Sequence, residues 1–382
     1  MKKNSPKQRV VFCTFSDFKA GNQGDSVNDR KLFRAIPSDY EKIAIYPKYK
    51  EGNKIDIKSL FKYFIKYVKE IVSSKRIFIT RAPKLALFPI ILKKLFHNKV
   101  VIRMGCTPVV FIERRAFTRN PEFHTSKNLF KRLFYFLEPH LELYAIRHAD
   151  GFTIENERAK NMAIFYGAKP EKIKITPYYV QDYFLNRANL SFEKKKDFFN
   201  IGYTGRFSLY DLLSPIIDAI FLLTEEGYKI KLFLLGDGIT RKSMELYVKE
   251  RGIEENVIFL GSKSHREVSD LINQYHCLVL PMLNNICPSA VAIKILEGVI
   301  KAKIIITTDS GNNTSLFLGN NDLILKECTS NLLVEKIKMV YENYDKFNDI
   351  SINISEYHKK NRSKQIYTEK ISELLNEIAF RT

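Results

Sequence analysis

The sequence predicts an α/β fold built from two doubly wound parallel sheets. Strand-length apolar runs alternate with helical patterns, and this alternation restarts after a polar stretch at residues 186–197. The chain has 382 residues, which is too long for one ordinary core and suits two domains. We predict an N-terminal Rossmann-like domain over residues 1–185 and a second over residues 186–362. A helix over residues 363–382 is expected to pack back on the N-terminal domain.

Both halves contain a regular series of predicted strands separated by helical patterns. In the first half the helical patterns cover residues 55–74 and 126–149. The predicted strands cover residues 9–15, 42–47, 76–80, 99–104 and 151–155 in the first half, and 199–205, 229–238, 256–261, 277–283 and 303–308 in the second. Parallel sheets of this kind bind ligands at the carboxyl ends of their strands. We therefore expect a ligand in a cleft between the two domains.

Glycines near the predicted strand ends fit a site where backbone approaches a ligand. They are Gly21 and Gly24 in the first half, and Gly202, Gly205, Gly236, Gly238, Gly298 and Gly311 in the second. Each could equally form an ordinary turn, so the indication comes from their repetition at successive strands.

The basic charge is concentrated in the first half. Residues 1–185 hold 36 Lys and Arg against 17 Asp and Glu, whereas residues 186–382 hold 26 against 25. Such a field indicates an anionic partner such as phosphate or anionic lipid, and the alternative is a solvated lysine-rich surface. No nucleic-acid-binding motif is present, so nucleic acid is not expected. The five cysteines form no C-x-x-C pair, which predicts neither a zinc site nor a disulfide framework.

No signal peptide or membrane-spanning segment is predicted. The longest apolar run of the first half, residues 85–92, falls far short of the roughly 20 residues that a spanning helix needs. These patterns favour a cytoplasmic protein.

Two charged residues stand in an otherwise small and apolar stretch, residues 288–311. They are Lys294 and Glu297. A buried charge is costly unless it has a partner. Either the two form a local i,i+3 ion pair, or a polar ligand comes to them.

Four motifs of the second half follow one another in a recognisable order. They are Gly205-Arg206 after a strand, LFLLGDG at residues 232–238, the run at residues 256–282, and the lysine that precedes Glu297 by three residues. In this order they resemble the nucleotide-sugar-binding domain of GT-B glycosyltransferases. The resemblance is strongest to the retaining family 4, also called group 1, which includes many lipopolysaccharide and capsule enzymes. The resemblance covers most of residues 148–312.

The resemblance implies a role for each matched residue. Glu297 would accept hydrogen bonds from the ribose hydroxyls of the donor. Arg206 and Lys294 would be the catalytic cations that stabilise the departing nucleoside diphosphate, so that neither a metal nor a cofactor is required. The remaining donor-nucleotide contacts would come from Gly205, Gly236, Gly238, Ser289 and Ala290. Gly24 and Asp25 would belong to a loop over the donor phosphates and sugar, although an ordinary βα turn explains them equally well.

Two departures from the family pattern leave alternatives open. Ser289 stands where the family often has an acidic residue, and Asp211 stands where it usually has a lysine. The resemblance implies a hexosyltransferase, retaining and metal-independent, that transfers a sugar from a nucleotide-sugar to a lipid-linked saccharide in surface polysaccharide biosynthesis. The alternatives are a catalytically degenerate GT-B subunit that binds nucleotide or a partner, and a nucleotide-sugar epimerase.

Two basic amphipathic segments, residues 58–72 and 126–136, could meet a membrane. In the first, we expect the apolar stripe to face the sheet, as helices of α/β folds require. The stripe consists of Phe61, Phe64, Ile65, Val68 and Val72. We expect the lysines that flank it to be attracted to an anionic membrane, which predicts a peripheral location on the inner face of the cell membrane.

Overall fold

The computed structural model describes residues 7–15, 24–48, 56–81, 83–104, 129–186, 192, 198–208, 211–283 and 291–380. The chain divides into two compact units. One consists of residues 1–178 together with 364–382, and the other of residues 179–363. In the described residues, each unit contains a six-stranded sheet covered by helices, so the predicted α/β class is confirmed.

The sheet of the first unit is entirely parallel in its described strands, with the order β2-β1-β3-β4-β5-β6. Its strands are β1 Arg9–Cys13, β2 Glu41–Ile45, β3 Arg76–Thr80, β4 Lys99–Met104, β5 Gly151–Ile154 and β6 Ile173–Ile175. Val10 to Cys13 are fully buried, because helices cover both faces of a parallel sheet. The sequence did not predict β6, whose three half-buried residues are too few to form a pattern.

Twelve α-helices lie in the described part of the chain. They are α1 Gly24–Ala35, α2 Ile57–Val72, α3 Pro83–Phe96, α4 Leu129–His148, α5 Glu157–Phe165, α6 Leu213–Glu225, α7 Arg241–Glu250, α8 His265–Ile272, α9 Ile293–Ile300, α10 Ser330–Glu342, α11 Tyr344–Asn361 and α12 Lys364–Phe380. Helix α6 shows the usual reason for helix docking, since its residues 213, 216, 217, 220 and 223 form one buried stripe.

The final helix, α12, packs on the first unit, which confirms that prediction. It lies so close to β5 that a Cβ atom on Gly151 would come within 2.4 Å of the Ile378 side chain. Lys174 pairs with two of its carboxylates, at 2.8 Å from Glu373 and 3.0 Å from Glu377. The end of the chain is therefore part of the first core.

The predicted orientation of α2 is wrong. The helix buries Tyr63, Tyr67 and Ile71, which are spaced four residues apart, while Phe61 is 66% exposed and Ile65 is 53% exposed. The rest of the predicted stripe, Phe64, Val68 and Val72, is exposed as well. Tyr67 hydrogen-bonds the main-chain oxygen of Leu85, so the tyrosine face is held against α3. The second segment, residues 126–136, lies outside the described side chains.

The sheet of the second unit has the order β12-β11-β10-β7-β8-β9 and is parallel throughout. Its strands are β7 Phe199–Thr204, β8 Ile230–Leu235, β9 Val257–Gly261, β10 Cys277–Val279, β11 Ile304–Thr308 and β12 Ile324–Leu325. This is the strand order of a dinucleotide-binding Rossmann domain. The strand order reverses between β7 and β10, since β8 and β9 follow on one side and β11 and β12 on the other, and this creates a crevice at their carboxyl ends.

Two of the glycines that the sequence analysis placed near strand ends, Gly202 and Gly298, instead allow close packing inside the second unit. A Cβ atom on Gly202, inside β7, would lie 2.2 Å from the ring of Tyr275. A Cβ atom on Gly298, inside α9, would lie 2.8 Å from Leu278 and 2.9 Å from Ile305. Here the absence of a side chain lets a ring or a helix approach the sheet.

Candidate functional site

The loops that follow β7 and β8 touch each other through their backbones at the crevice of the second sheet. Gly236 has a φ of +150°, and a Cβ atom there would lie 1.8 Å from the carbonyl oxygen of Gly205. A Cβ atom on Gly238 would lie 2.3 Å from the carbonyl oxygen of Phe207. Both positions therefore require glycine, and the two loops form one rigid rim.

Lys294 lies on this rim, in the first turn of α9. Its Nζ atom is 2.6 Å from Oδ1 of Asp211 and 4.9 Å from the ring centroid of Tyr203. A Cβ atom on Gly205 would lie 3.1 Å from the same Nζ. The lysine thus connects α9 to the end of β7, across the point where the strand order reverses.

The charge of Lys294 is set by opposing influences. Burial lowers its pKa below the ordinary 10.5, the Asp211 carboxylate acts in the opposite direction, and the nearby Arg206 charge lowers the pKa further. The lowering prevails. Removal from water is the largest influence, because the side chain is largely buried, with an exposed fraction of 16%.

Arg206 follows Gly205 directly and is exposed. Its main-chain oxygen accepts a hydrogen bond of 2.9 Å from the hydroxyl of Tyr203. Its guanidinium has no hydrogen bond or ion pair with any residue that the structure describes. The loop is therefore fixed while the cation at its tip stays available, close enough to Lys294 to act on its pKa.

Asp211 neutralises one of the two cations. Its second oxygen, Oδ2, accepts a hydrogen bond of 2.5 Å from the hydroxyl of Ser208, and its main-chain N–H bonds the Ser208 carbonyl oxygen at 3.1 Å. Two cations and one carboxylate give Arg206, Lys294 and Asp211 a net charge of +1 (2 − 1 = +1). Where the family usually has a lysine in this loop, the acid here holds the lysine of α9 instead.

Glu297 is buried, with an exposed fraction of 5%, and its partner is a histidine. Nε2 of His265 lies 2.8 Å from Oε1 of Glu297, and Nδ1 of His265 lies 2.9 Å from the hydroxyl of Tyr183. Lys294 and Glu297 thus have partners on other elements, and a local i,i+3 pair between them, the simpler explanation of the sequence, is wrong.

The sequence did not point to His265, Tyr183 or Tyr203. One signal was present for the histidine, because it begins the helix that follows β9 and so lies at the same carboxyl edge as the other loops. Nothing local to Tyr183 marks it, since its contact comes from a residue 82 positions away.

Several predicted site residues lie outside the described part of the structure. Ser289 and Ala290 fall in the segment 284–290, which is not described. Gly24 and Asp25 open α1, but their side chains and the loop before them are not described. The roles assigned to these four residues remain predictions.

A second charged cluster holds α1 at the carboxyl edge of the first sheet. Asp29 is fully buried, accepts a hydrogen bond of 2.6 Å from Oγ1 of Thr14, and pairs with Arg103. Arg103 also donates to the hydroxyl of Tyr178 at 3.0 Å. These contacts join the end of β1, helix α1 and β4, and they fix the helix that Gly24 and Asp25 begin.

The site can bind anions, and its described residues do not form a metal centre. Among the described residues, no three His, Cys, Asp or Glu side chains come together as metal ligands. The groups suited to a diphosphate are Arg206, which can make a bidentate contact, and Lys294. A buried carboxylate, Glu297, lies one helical turn further along α9.

Comparison with known families identifies this region. Residues 186–357 match the family model described as glycosyl transferases group 1. The resemblance that the sequence motifs indicated is thereby confirmed, and the matched residues lie within the second unit. No curated protein sequence matches the chain significantly.

Solved structures match nearly the whole chain and show that it has a GT-B fold. HepE from Anabaena, in complex with UDP, is 13% identical with a TM-score of 0.71, covering 97% of this chain and 100% of its own. Sucrose-phosphate synthase from Thermosynechococcus elongatus is 13% identical with a TM-score of 0.75, over 97% and 99%. WaaG, described as a glycosyltransferase involved in lipopolysaccharide biosynthesis, is 14% identical with a TM-score of 0.65, over 98% and 100%.

None of the described helices combines the length and hydropathy needed to cross a membrane.

Proposed function

We propose that the protein transfers a hexosyl group from a nucleotide-sugar to a saccharide acceptor, with retention of configuration and without a metal. The observation that carries the proposal is the pair of cations, Arg206 and Lys294, at the strand reversal of a group 1 domain, with buried Glu297 beside them. HepE was crystallised with UDP and with UDP-glucose, which supports a nucleotide-sugar as donor. Retention of configuration rests on the family resemblance.

In this reaction the bond between the anomeric carbon and the β-phosphate oxygen breaks. The electron pair stays on the phosphate oxygen, and the acceptor hydroxyl forms the new bond while losing its proton. Negative charge therefore grows on the diphosphate in the transition state. Arg206 and Lys294 stabilise this charge, and partial burial of Lys294 strengthens its share because water screens it less.

Glu297 binds the ribose of the donor. A carboxylate offers two acceptor oxygens to two neighbouring hydroxyl groups, and burial makes each such hydrogen bond more selective. Since Glu297 and Lys294 lie three residues apart on α9, one helix presents groups for both the ribose and the diphosphate. Ser289 and Ala290, near the start of this helix, supply further donor contacts in the proposal, and Gly24 and Asp25 cover the donor sugar.

A panel of nucleoside diphosphates tests the donor site. We expect UDP, GDP or ADP, at 100 times its dissociation constant, to raise the free energy of unfolding by about 2.7 kcal/mol. Glu297→Gln removes the charge from the acceptor group, so we expect the stabilisation to shrink for every base. The measurement is the melting temperature of each variant with and without the nucleotide at roughly 5–10 mM, a concentration well above ordinary dissociation constants.

The matched control is Glu335→Gln, which removes an acidic side chain from α10 in the same unit and whose only described ion pair is with its neighbour Lys336. This variant should respond to nucleotide as the wild type does. If no diphosphate stabilises the wild type, the donor-site proposal fails.

We propose that the acceptor is lipid-linked and that the first unit docks on the anionic inner face of the cell membrane. Helices α2 and α3 expose large apolar side chains close together, and the rings of Phe64 and Phe88 meet edge to face at 6.5 Å. Phe61 is 66% exposed on α2, and Leu95 is 69% exposed on α3. Lysines lie on the same two helices: Lys58, Lys62, Lys66 and Lys69 on α2, and Lys94 on α3. Lys93, also on α3, is instead paired with Asp150 at 2.9 Å.

Apolar groups among lysines fit a membrane that offers acyl chains below anionic headgroups. The basic charge of the whole first half supports the same partner. A lipid-linked acceptor would be presented at this surface, which supports a role in surface polysaccharide biosynthesis. WaaG is a neighbour with such a described role.

Vesicle binding tests the membrane surface. The variant Phe61→Ser/Ile65→Ser should lower the partition coefficient onto vesicles that contain about 30% anionic lipid by about tenfold. Each substitution removes part of the free energy of transferring an apolar side chain out of water, which is roughly 1.5–3 kcal/mol for a whole side chain. Lys62→Glu/Lys66→Glu should have a similar effect, because each lysine contributes about 1 kcal/mol of attraction. Co-sedimentation at fixed ionic strength measures both.

Phe165→Ser is the control for this experiment, because Phe165 is also exposed but lies on α5. Neutral vesicles should bind the wild type weakly. Equal binding by wild type and both double variants would contradict membrane docking through α2.

A catalytically degenerate subunit is the second candidate, and Asp211 favours it. The acid neutralises Lys294 and leaves a single net positive charge where two cations would face the diphosphate. Turnover of a nucleotide-sugar with a lipid-linked saccharide would exclude this candidate, whereas nucleotide binding without turnover would support it.

A further inference from the structure

His265 is held in one orientation by the elements around it. It is the first residue of α8, whose start is fixed by a capping box between Ser264 and Glu267. Its ring packs against Phe184, with ring centroids 5.2 Å apart, and against Tyr183 at 6.0 Å. The imidazole therefore has little freedom to turn away from Glu297.

The segment that carries Tyr183 is fixed as well. Its 3₁₀ turn, Asp182–Phe184, is fastened to α8 by a hydrogen bond of 2.8 Å from Oγ of Ser269 to the carbonyl oxygen of Tyr183. Further along, the buried Lys301 donates to the carbonyl oxygen of Asn186 at 2.5 Å. The tyrosine hydroxyl is thus presented to the histidine by a well-anchored backbone.

The hydrogen bonds can be assigned without a charge on the histidine. An ionised Glu297 only accepts, so Nε2 of His265 carries the proton between them, and Nδ1 of a neutral ring is then an acceptor. The hydroxyl of Tyr183 donates to it. Burial and the nearby Glu297 carboxylate both raise the pKa of Tyr183, which keeps this hydroxyl protonated.

This chain of hydrogen bonds leaves one side of the Glu297 carboxylate available. Oε1 is bound by His265, and Oε2 has no hydrogen bond with any residue in the described ranges. A carboxylate that is fixed through one oxygen cannot rotate freely about its last side-chain torsion. Its other lone pairs therefore have a set direction before any ligand arrives, which lowers the entropy lost on binding.

We propose that His265, oriented by Tyr183, is a positioning residue that aims the Glu297 carboxylate at the ribose hydroxyls and so makes donor affinity depend on an intact ribose diol. The inference rests on the proposed ribose-binding role of Glu297. It assigns the histidine no contact with the reacting atoms.

The test compares ribose and deoxyribose nucleotides. The probes are UDP, GDP and ADP, each paired with its 2′-deoxy form, and the readout is the ratio of their dissociation constants. One hydrogen bond to a charged acceptor is worth about 1.5 kcal/mol or more, so we expect wild type to prefer the ribose form by about tenfold. His265→Ala should reduce this preference to about twofold or less, by loss of affinity for the ribose form alone.

Two conservative variants keep the test independent of folding. His265→Gln retains an N–H donor and should recover part of the preference. Tyr183→Phe removes only the hydroxyl and should give an intermediate preference. In a Glu297→Ala background, where no carboxylate remains to be aimed, His265→Ala should change neither dissociation constant.

The outcomes separate the inference from the proposed function. Equal loss of affinity for ribose and deoxyribose forms in His265→Ala would indicate a structural role only and would overturn the inference, as would an unchanged preference. An additive effect in the Glu297→Ala background would overturn it too. If wild type binds none of the diphosphates, or Glu297→Ala binds them unchanged, the proposed function itself fails.

Discussion

Arg206→Ala should lower kcat/KM by about 10²–10³-fold, the usual effect of removing one group that stabilises charge in a transition state. The structure gives two reasons to expect the upper part of this range. The guanidinium has no partner among the described residues, so its charge is not spent on the fold. The neighbouring cation Lys294 is already paired with Asp211, which leaves Arg206 as the main source of positive charge among the described residues of this site.

The same variant should leave the free energy of unfolding within about 0.5 kcal/mol of wild type, as surface substitutions usually do. The loop keeps its conformation because Tyr203 bonds the main-chain oxygen of Arg206, which the substitution retains. Arg206→Lys keeps the positive charge but loses the guanidinium group that can contact two phosphate oxygens at once, so its activity should lie between those of wild type and Arg206→Ala. Lys249→Ala, which removes an exposed cation of α7, is the control and should have full activity.

Steady-state kinetics with the donor selected by the nucleotide panel measures these effects. A loss for Arg206→Ala no greater than for Lys249→Ala would contradict a catalytic role. A loss confined to KM, with kcat unchanged, would assign Arg206 to ground-state binding of the donor instead.

The fold could be predicted from the sequence because its strands are buried on both faces. A run such as RVVFC or KVVIRM has to lie inside a parallel sheet, and helices have to alternate with such strands to cover them. The two strands that the sequence did not predict are short and bury little surface. β6 has three half-buried residues and β12 has two residues, so neither forms a run.

The orientation of α2 could not be predicted, because two of its faces are apolar. The phenylalanine face and the tyrosine face each repeat with helical spacing, and the sequence does not say which one meets the sheet. The tyrosines are buried in the structure, where Tyr67 also hydrogen-bonds Leu85. The more hydrophobic face is left exposed, which a folded core alone does not explain.

The sequence singled out two charged residues of the candidate site but not the residues that they contact. Lys294 and Glu297 stood out because charges among apolar residues need partners. Their partners, Asp211 and His265, lie 83 and 32 positions away along the chain (294 − 211 = 83; 297 − 265 = 32) and are brought in by loops after other strands. Such contacts depend on strand order, which a single sequence reveals only through a family resemblance.

Lys294→Ala should lower kcat/KM more than the double variant Lys294→Ala/Asp211→Asn does. The single variant removes a cation and also leaves the largely buried Asp211 carboxylate without its ion-pair partner, where it repels the diphosphate. We expect a loss of about 10³-fold for the single variant and recovery of roughly tenfold in the double, since charged neighbours of this kind couple by about 0.5–3 kcal/mol. Equal or greater loss in the double variant would contradict the coupling.

The pH dependence of this pair has a sign that sets it apart from an ordinary surface lysine. Because burial lowers the pKa of Lys294 below 10.5, the lysine loses its charge at a lower pH than usual, and donor affinity should fall as pH rises through that lowered pKa. Folding stability should respond in the opposite direction. Between the folded and unfolded pKa values the unfolded chain binds more protons, so the contribution of Lys294 to stability rises with pH.

The variant Asp211→Asn removes the carboxylate that opposes the lowering of the Lys294 pKa, so the changes in donor affinity and in stability should both move to lower pH. Titration of nucleotide affinity by calorimetry, and of melting temperature in the same buffers, would detect the two trends, and a parallel fall of both would contradict the assignment to Lys294.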